Sequence, residues 1–182
     1  MTFVGYSIAG IFTQNTSTLG FQQMFDVTIT ALMGAQTAID ITGLNLETEY
    51  LYLFKLDIIS GAGGIGSLSM FANADYVAAN YQNQYFEASG AGVFAGRQAT
   101  GEILFFTGVG DLASTEIWIS KLAGQNPIAF VNSSNIYAGP AIVRYDYAWT
   151  HLDTTNVTVL RIASAVAAGL AVGTRLRGWK SI

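Results

Sequence analysis

The sequence predicts an all-β protein: an antiparallel jelly-roll sandwich of about eight to ten strands with an extended N-terminal arm. Three observations carry that expectation. Apolar and polar side chains alternate with period two in one short segment after another. Gly, Asn and Ser clusters of turn composition separate those segments. No stretch of ten residues has a convincing helical period, and the nearest, Ile162 to Val172, is weakened by Gly169 and a run of small residues. Many such strands close into a sandwich or a barrel, and 182 residues suit a jelly roll in a single domain.

The elements follow in order. Residues 1–21 are apolar, Thr/Ser/Gly-rich and without clear periodicity, which fits an arm or a first strand. Residues 22–182 form the domain. Phe25, Val27, Ile29 and Ala31 alternate with Asp26, Thr28 and Thr30 as a half-buried strand, and Ala38 to Ile41 is a short second one ended by Gly43. Glu49 to Ile59 carries large residues on both faces near its start, so it is expected at the centre of a sheet with both sides covered. Gly61 to Gly66 reads as a hairpin loop, because no Gly-Lys-Ser/Thr ending and no amphipathic helix follow it. Alternation resumes over Ser67 to Phe71. Asn73 to Gly92 is polar and rich in Asn, Gln and Tyr, the expected long surface excursion. Further strands are expected at Glu102–Thr107, Thr115–Leu122, Ile128–Asn132, Ile142–Trp149, Asn156–Ile162 and Thr174–Trp179. Asn132-Ser-Ser-Asn135 between two of them is a turn by composition.

Only 11% of the residues are charged, against the ~25% usual for globular chains. So few charges cover the surface of a monomer poorly, and the chain is expected to bury apolar area against other copies of itself. The net charge of −4 argues against a nucleic-acid ligand. The charges are also segregated. The first 54 residues hold Asp26, Asp40, Glu47 and Glu49 and no base, whereas Arg161, Arg175, Arg177 and Lys180 follow Asp153 with no acid among them. Opposite signs at the two ends attract if terminal strands pair, or if one copy reaches its neighbour. Without cysteine there is no disulfide and no thiolate metal site. The apolar run Phe3 to Phe12 has no basic residue before it and falls short of the ~20 residues of a spanning helix, so neither a signal peptide nor a membrane span is expected.

Motifs for catalysis are weak. His151 is the one histidine; Asp153 stands close enough in sequence to orient it, but no Gly-x-Ser-x-Gly elbow exists, and a turn histidine is the plainer reading. Glu47 and Glu49 share a face if extended, at ~6.6 Å per two-residue step, near a glycosidase spacing. Two carboxylates at a strand entrance are more simply solvated. No catalytic residue, metal site or cofactor is expected. Among the tyrosines, Tyr76, Tyr81 and Tyr85 are candidates for stacking on sugar rings. Tyr145, Tyr147 and Trp149, with Arg161, Arg175 and Trp179, are candidates for a subunit interface.

Several segments resemble small jelly-roll virion proteins of tailed bacteriophages, of the capsid-decoration (cement) or fibre-tip type. Thr155-Asn-Val-Thr-Val-Leu-Arg-Ile162, the turn with Gly169, and Gly173-Thr-Arg-Leu-Arg-Gly-Trp-Lys180 are similar to their closing strands. Ala31 to Leu56 is similar to the entry into their first core hairpin, and Tyr145-Asp-Tyr-Ala-Trp149 to their penultimate strand. The likeness covers residues 25–60 and 140–182; the middle is not distinctive. It implies a homotrimer on the outer surface of the phage head, made in the host cytoplasm, with the major capsid protein as partner and neither nucleic acid nor membrane bound. Because the β pattern begins by about residue 22, no shaft is expected before it. The arm, through Phe3, Val4, Tyr6, Ile8, Ile11 and Phe12, would reach over capsid subunits or neighbouring trimers. The alternatives are a glycan-recognising receptor-binding module using the tyrosines of residues 73–92 and, more remotely, an eight-stranded outer-membrane barrel.

Overall fold

A computed structural model describes residues 6–8, 20–49, 51–61, 66–89, 92–106, 108–136 and 142–182. It is all-β. In chain order the strands are β1 Tyr6–Ile8, β2 Phe21–Thr28, β3 Ala38–Thr42, β4 Leu51–Ile59, β5 Gly66–Ala72, β6 Tyr81–Ser89, β7 Gly92–Gln98, β8 Glu102–Phe106, β9 Leu112–Ser120, β10 Ile128–Ile136, β11 Ile142–His151, β12 Val159–Ser164 and β13 Arg175–Ser181. A 3-10 turn, Ala78–Asn80, precedes β6. One sheet has five strands in the order β1-β3-β12-β5-β8, the other eight in the order β2-β13-β4-β9-β10-β11-β6-β7. All pairings are antiparallel except β1 with β3.

The alternation read in the sequence is the alternation of burial. Along β4, Tyr52, Phe54, Leu56 and Ile58 are fully buried while Leu51, Leu53, Lys55, Asp57 and Ile59 are half-buried. So β4 is central, between β13 and β9, but only one of its faces is closed. Its buried residues join Ile117, Ile119, Val131, Tyr147 and Trp149 from the same sheet. From the five-stranded sheet come Ile39, Ile41, Leu68, Met70, Leu160 and Ile162. This inter-sheet layer is the hydrophobic core, and its burial supplies the main driving force for folding.

Three sequence expectations change here. The polar stretch 73–92 is mostly not a surface excursion: after the 3-10 turn it becomes β6, paired with β7 on one side and β11 on the other. Asn132 to Asn135 is not a turn either, because β10 runs through it to Ile136 with a partner on each side. Ser133 and Asn135 face inward there, and Ser133 donates to the Thr115 hydroxyl at 3.1 Å. Ladder bonds on both edges hold a sequence with little strand preference of its own. β2 starts at Phe21 and ends at Thr28, so Ile29 and Ala31 fall in the following turn region. Of the N-terminal stretch, only Tyr6–Ile8 and residues 20–21 are described.

The segregated charges resolve within the chain. Arg161 Nε and Nη2 donate to Asp40 at 2.5 and 2.6 Å. Arg175 Nε donates to Asp26 at 2.7 Å, and Lys180 and Arg177 pair with Glu49 and Asp57. β13 lies between β2 and β4, and β12 beside β3, so late bases meet mainly early acids: Arg161 directly across from Asp40, and Arg175 and Arg177 diagonally from Asp26 and Asp57. A bulge between Gly178 and Trp179 accompanies the Phe25 ring, which lies where a Cβ on Gly178 would sit, 2.4 Å from its nearest atom.

Candidate functional site

The residues singled out for chemistry are spoken for structurally. His151 is the last residue of β11, not a turn residue, and is buried. Its Nε2 lies 2.9 Å from Asp75 Oδ2; Asp75, not Asp153, is its carboxylate partner. The Tyr81 ring stacks on the imidazole with centroids 4.8 Å apart. The hydrogen bond from His151 holds the Asp75 carboxyl below its usual range, with further bonds from Val77 N–H and Asn80 Nδ2. Among the described residues no nucleophile bonds to this imidazole, so the pair fastens the 73–80 turn to the end of β11. Glu47 and Glu49 are no dyad: Glu47 accepts from Lys121 at 2.7 Å, whereas Glu49 pairs with Lys180 and accepts from the Tyr52 hydroxyl. Among the described residues no group of three His, Asp or Glu gathers that could hold a metal ion. No helix among them is long and apolar enough to cross a membrane.

Most of the interface and sugar candidates are taken up by the chain's own fold. Tyr145, Tyr147 and Trp149 alternate on the inner face of β11 and lie in the chain's own core. Arg161 and Arg175 are bound to Asp40 and Asp26 of the same chain. Trp179 is half-buried on the outer face of the eight-stranded sheet. Tyr81 has no exposed surface with which to meet a sugar: its hydroxyl donates to Asp75 O at 2.6 Å and accepts from Ala72 N–H at 3.0 Å, and burial pushes its pKa up to about 12. Tyr85 is half-buried beside Tyr147. Tyr76 is the exposed one, but it lies in the connection after β5, against Phe71 and Arg161 of the five-stranded sheet, with the Arg161 guanidinium 5.3 Å from its ring centroid. The three tyrosines therefore share no surface. Of the arm residues, Tyr6 and Ile8 are in β1, while Phe3, Val4, Ile11 and Phe12 lie outside the described residues.

What the structure assembles instead is the outer face of the eight-stranded sheet. Strand register sorts that face into cross-strand rows. At one end Ile59, Leu112, Ile136 and Ile142 stand opposite one another on β4, β9, β10 and β11. The last three are 48–65% exposed. A polar band follows, in which Lys55 meets Glu116 at 3.2 Å and Arg144 meets Asp146 at 3.1 Å. Next comes the row Trp179, Leu53, Trp118, Phe130, Ala148, Gln84, Arg97. Phe21 packs edge-on to Trp118 at 6.0 Å, and Phe130 is 59% exposed. At the far end, residues of β6, β7, β11 and the β9–β10 connection enclose a trough of about 990 Å³. Beside it, the β6–β7 hairpin forms the sheet's edge and leaves Phe86 and Val93 exposed on this face and Phe94 on the opposite one.

The sequence carries no signal for these rows, because each unites residues far apart in the chain. Once the register is known they follow from strand parity. Neither a scan against models of protein families nor a search of curated proteins finds a match for the chain.

Proposed function

We propose that this chain is a non-enzymatic virion structural protein of a tailed phage. On this reading it is a capsid-decoration (cement) protein that binds the capsid lattice as a trimer and stabilises the head from its outer surface. The observation that carries the reading is the exposed apolar surface on the eight-stranded sheet of a chain with few charges. Leu112, Ile136 and Ile142 in one row, and Val93 and Phe94 on the edge hairpin, leave large side chains to water that partner subunits would cover. Burying such area contributes ~25 cal/mol per Å², less the cost of ordering what binds.

Two further points support it. The chain crosses between the sheets at every step from β3 onward except within β6–β7 and β9–β11. Its strands interleave early with late as β3-β12-β5-β8 and β4-(β9-β10-β11)-β6-β7. That winding is consistent with a jelly roll in which one strand has become a three-stranded meander and β2 and β13 extend an edge. Each ionisable candidate for catalysis also has a structural partner.

The test is the light-scattering mass of the purified chain, followed by cosedimentation with capsids that lack it. A trimer of the 19.4 kDa chain that pellets in near-stoichiometric ratio to the capsid protein is expected. A monomer, or a trimer left in the supernatant, overturns the reading. Removing residues 1–19, which takes away the edge strand β1 but stops short of β2, is expected to weaken pelleting sharply while leaving trimers folded; unchanged pelleting removes the N-terminal stretch from the contact.

A further inference from the structure

The trough at the rim of the eight-stranded sheet has a chemistry distinct from the apolar rows. Ala148 and Thr150 of β11 form its floor. Gln82, Gln84 and Arg97 rise on the β6–β7 side; Gln125 and Asn126 rise on the other, from the β9–β10 connection. Ala148 stands in register between Phe130 and Gln84, so a methyl group occupies a position flanked by large side chains, and the row dips there.

Among the described residues the lining contains no carboxylate. One of its two cations, Lys121, has no exposed side-chain surface and is bound to Glu47. The other, Arg97, is braced: with its amide oxygen turned toward the guanidinium, Gln84 accepts from Nε and Nη2 at 2.6 Å. That leaves the remaining guanidinium N–H groups for a ligand. Amide side chains each offer a donor and an acceptor on one planar group, which matches neighbouring hydroxyls on a sugar ring. Phe130 and Ile128, 59% and 49% exposed, offer an apolar surface beside the trough to the C–H face of such a ring.

We infer that this trough binds an oligosaccharide bearing a carboxylate-containing sugar, with Arg97 on the carboxylate and the amides of Gln82, Gln125 and Asn126 on the hydroxyls. A peptide adding as a strand would find a free edge only on β7, at the trough's rim, because β9, β10, β11 and β6 beneath the trough are each paired on both edges. A nucleic acid needs many phosphate contacts, and one arginine supplies few. Without a carboxylate in the lining, the site binds its sugar and has no acid or base with which to cleave it.

The inference does not rest on the capsid reading, since the trough and the apolar row at Ile136 lie at opposite ends of the sheet. The experiment is calorimetric titration of the full chain with tetragalacturonate, 3′-sialyllactose and, as the neutral control, maltotetraose. Saturable binding of at least one acidic member is expected, with maltotetraose about tenfold weaker or worse. Arg97→Ala is expected to remove that preference, and Gln125→Ala to weaken acidic and neutral members alike, with circular dichroism unchanged in both. No heat with either acidic member overturns the inference. So does binding that survives the Arg97→Ala/Gln125→Ala double variant, or equal binding of dextran sulfate through charge alone.

Discussion

The two faces of the eight-stranded sheet are made by the same strands, yet they obey different rules. On the inner face Tyr52, Phe54, Ile117, Val131 and Trp149 are buried in one core with residues of the five-stranded sheet. On the outer face the same strands show Leu53, Trp118, Phe130 and Ile136 to water or to one another in separate rows. The inner face is set by the fold's need to bury area. The outer face is released from that need, so large apolar residues there call for another explanation, and the partner surface proposed above would supply one.

That contrast breaks or sharpens on measurement. The largest effect is expected inside: Trp149→Ala should cost ~3–5 kcal/mol in urea unfolding, whereas Phe130→Ala on the outer row should cost well under ~1 kcal/mol. Equal losses would mean that the outer row is core as well. Next is Gly178→Ala on the inner side of β13. The added Cβ would lie 2.4 Å from the Phe25 ring, and a loss of ~1–3 kcal/mol is expected from overpacking. A neutral result would show that the ring moves freely and that the inner face is less tightly set than its burial implies.

Smaller is the Asp40–Arg161 pair on the outer side of the five-stranded sheet, with side chains 15% and 17% exposed. A double-mutant cycle with Asp40→Asn and Arg161→Gln should return a coupling of ~1–2 kcal/mol. A coupling near zero would put the pair with ordinary surface ion pairs. The smallest effects are in pH. Burial raises the pKa of Glu102 in the folded chain, so its ionisation opposes folding as pH rises above the unfolded value near ~4.3. Glu102→Gln should therefore raise the melting temperature at pH 7 and leave it unchanged at pH 3. Asp75, held below its usual range by His151, has the opposite sign. Its contribution is present above the unfolded value near ~3.9 and is lost as pH falls through the folded one. Asp75→Asn should lower the melting temperature at pH 7, with the difference closing in acid.

Much of this fold was legible. Strong alternation placed β4 and β12 within a few residues, and the charge asymmetry between the chain's ends anticipated the pairs of β13 with β2 and β4. The hairpin β6–β7 was not legible, because Gln82, Gln84 and Asn83 put polar groups on both faces and erase the period-two signal. Asn132 to Asn135 misled for a related reason: turn-forming residues were held in a strand by two flanking ladders. Tyr145 and Tyr147 showed their alternation but not which face was inside. The trough was invisible because Gln82, Arg97, Gln125 and Thr150 come from four segments and glutamine has no chemical signature in a sequence.

The place of β13 bears on how the chain is made. As synthesis proceeds from the N-terminus, β2 and β4 emerge within the first 59 residues, but the strand that joins them spans residues 175–181. Until it emerges, two strand edges that will become neighbours through β13 have nothing to fill the gap between them. Contacts so distant in sequence close slowly, and open edges on nascent chains invite pairing with the chain next door. Ribosomes spaced closely on one message would then raise the yield of misjoined copies, and slower initiation would recover soluble protein without any change to the sequence.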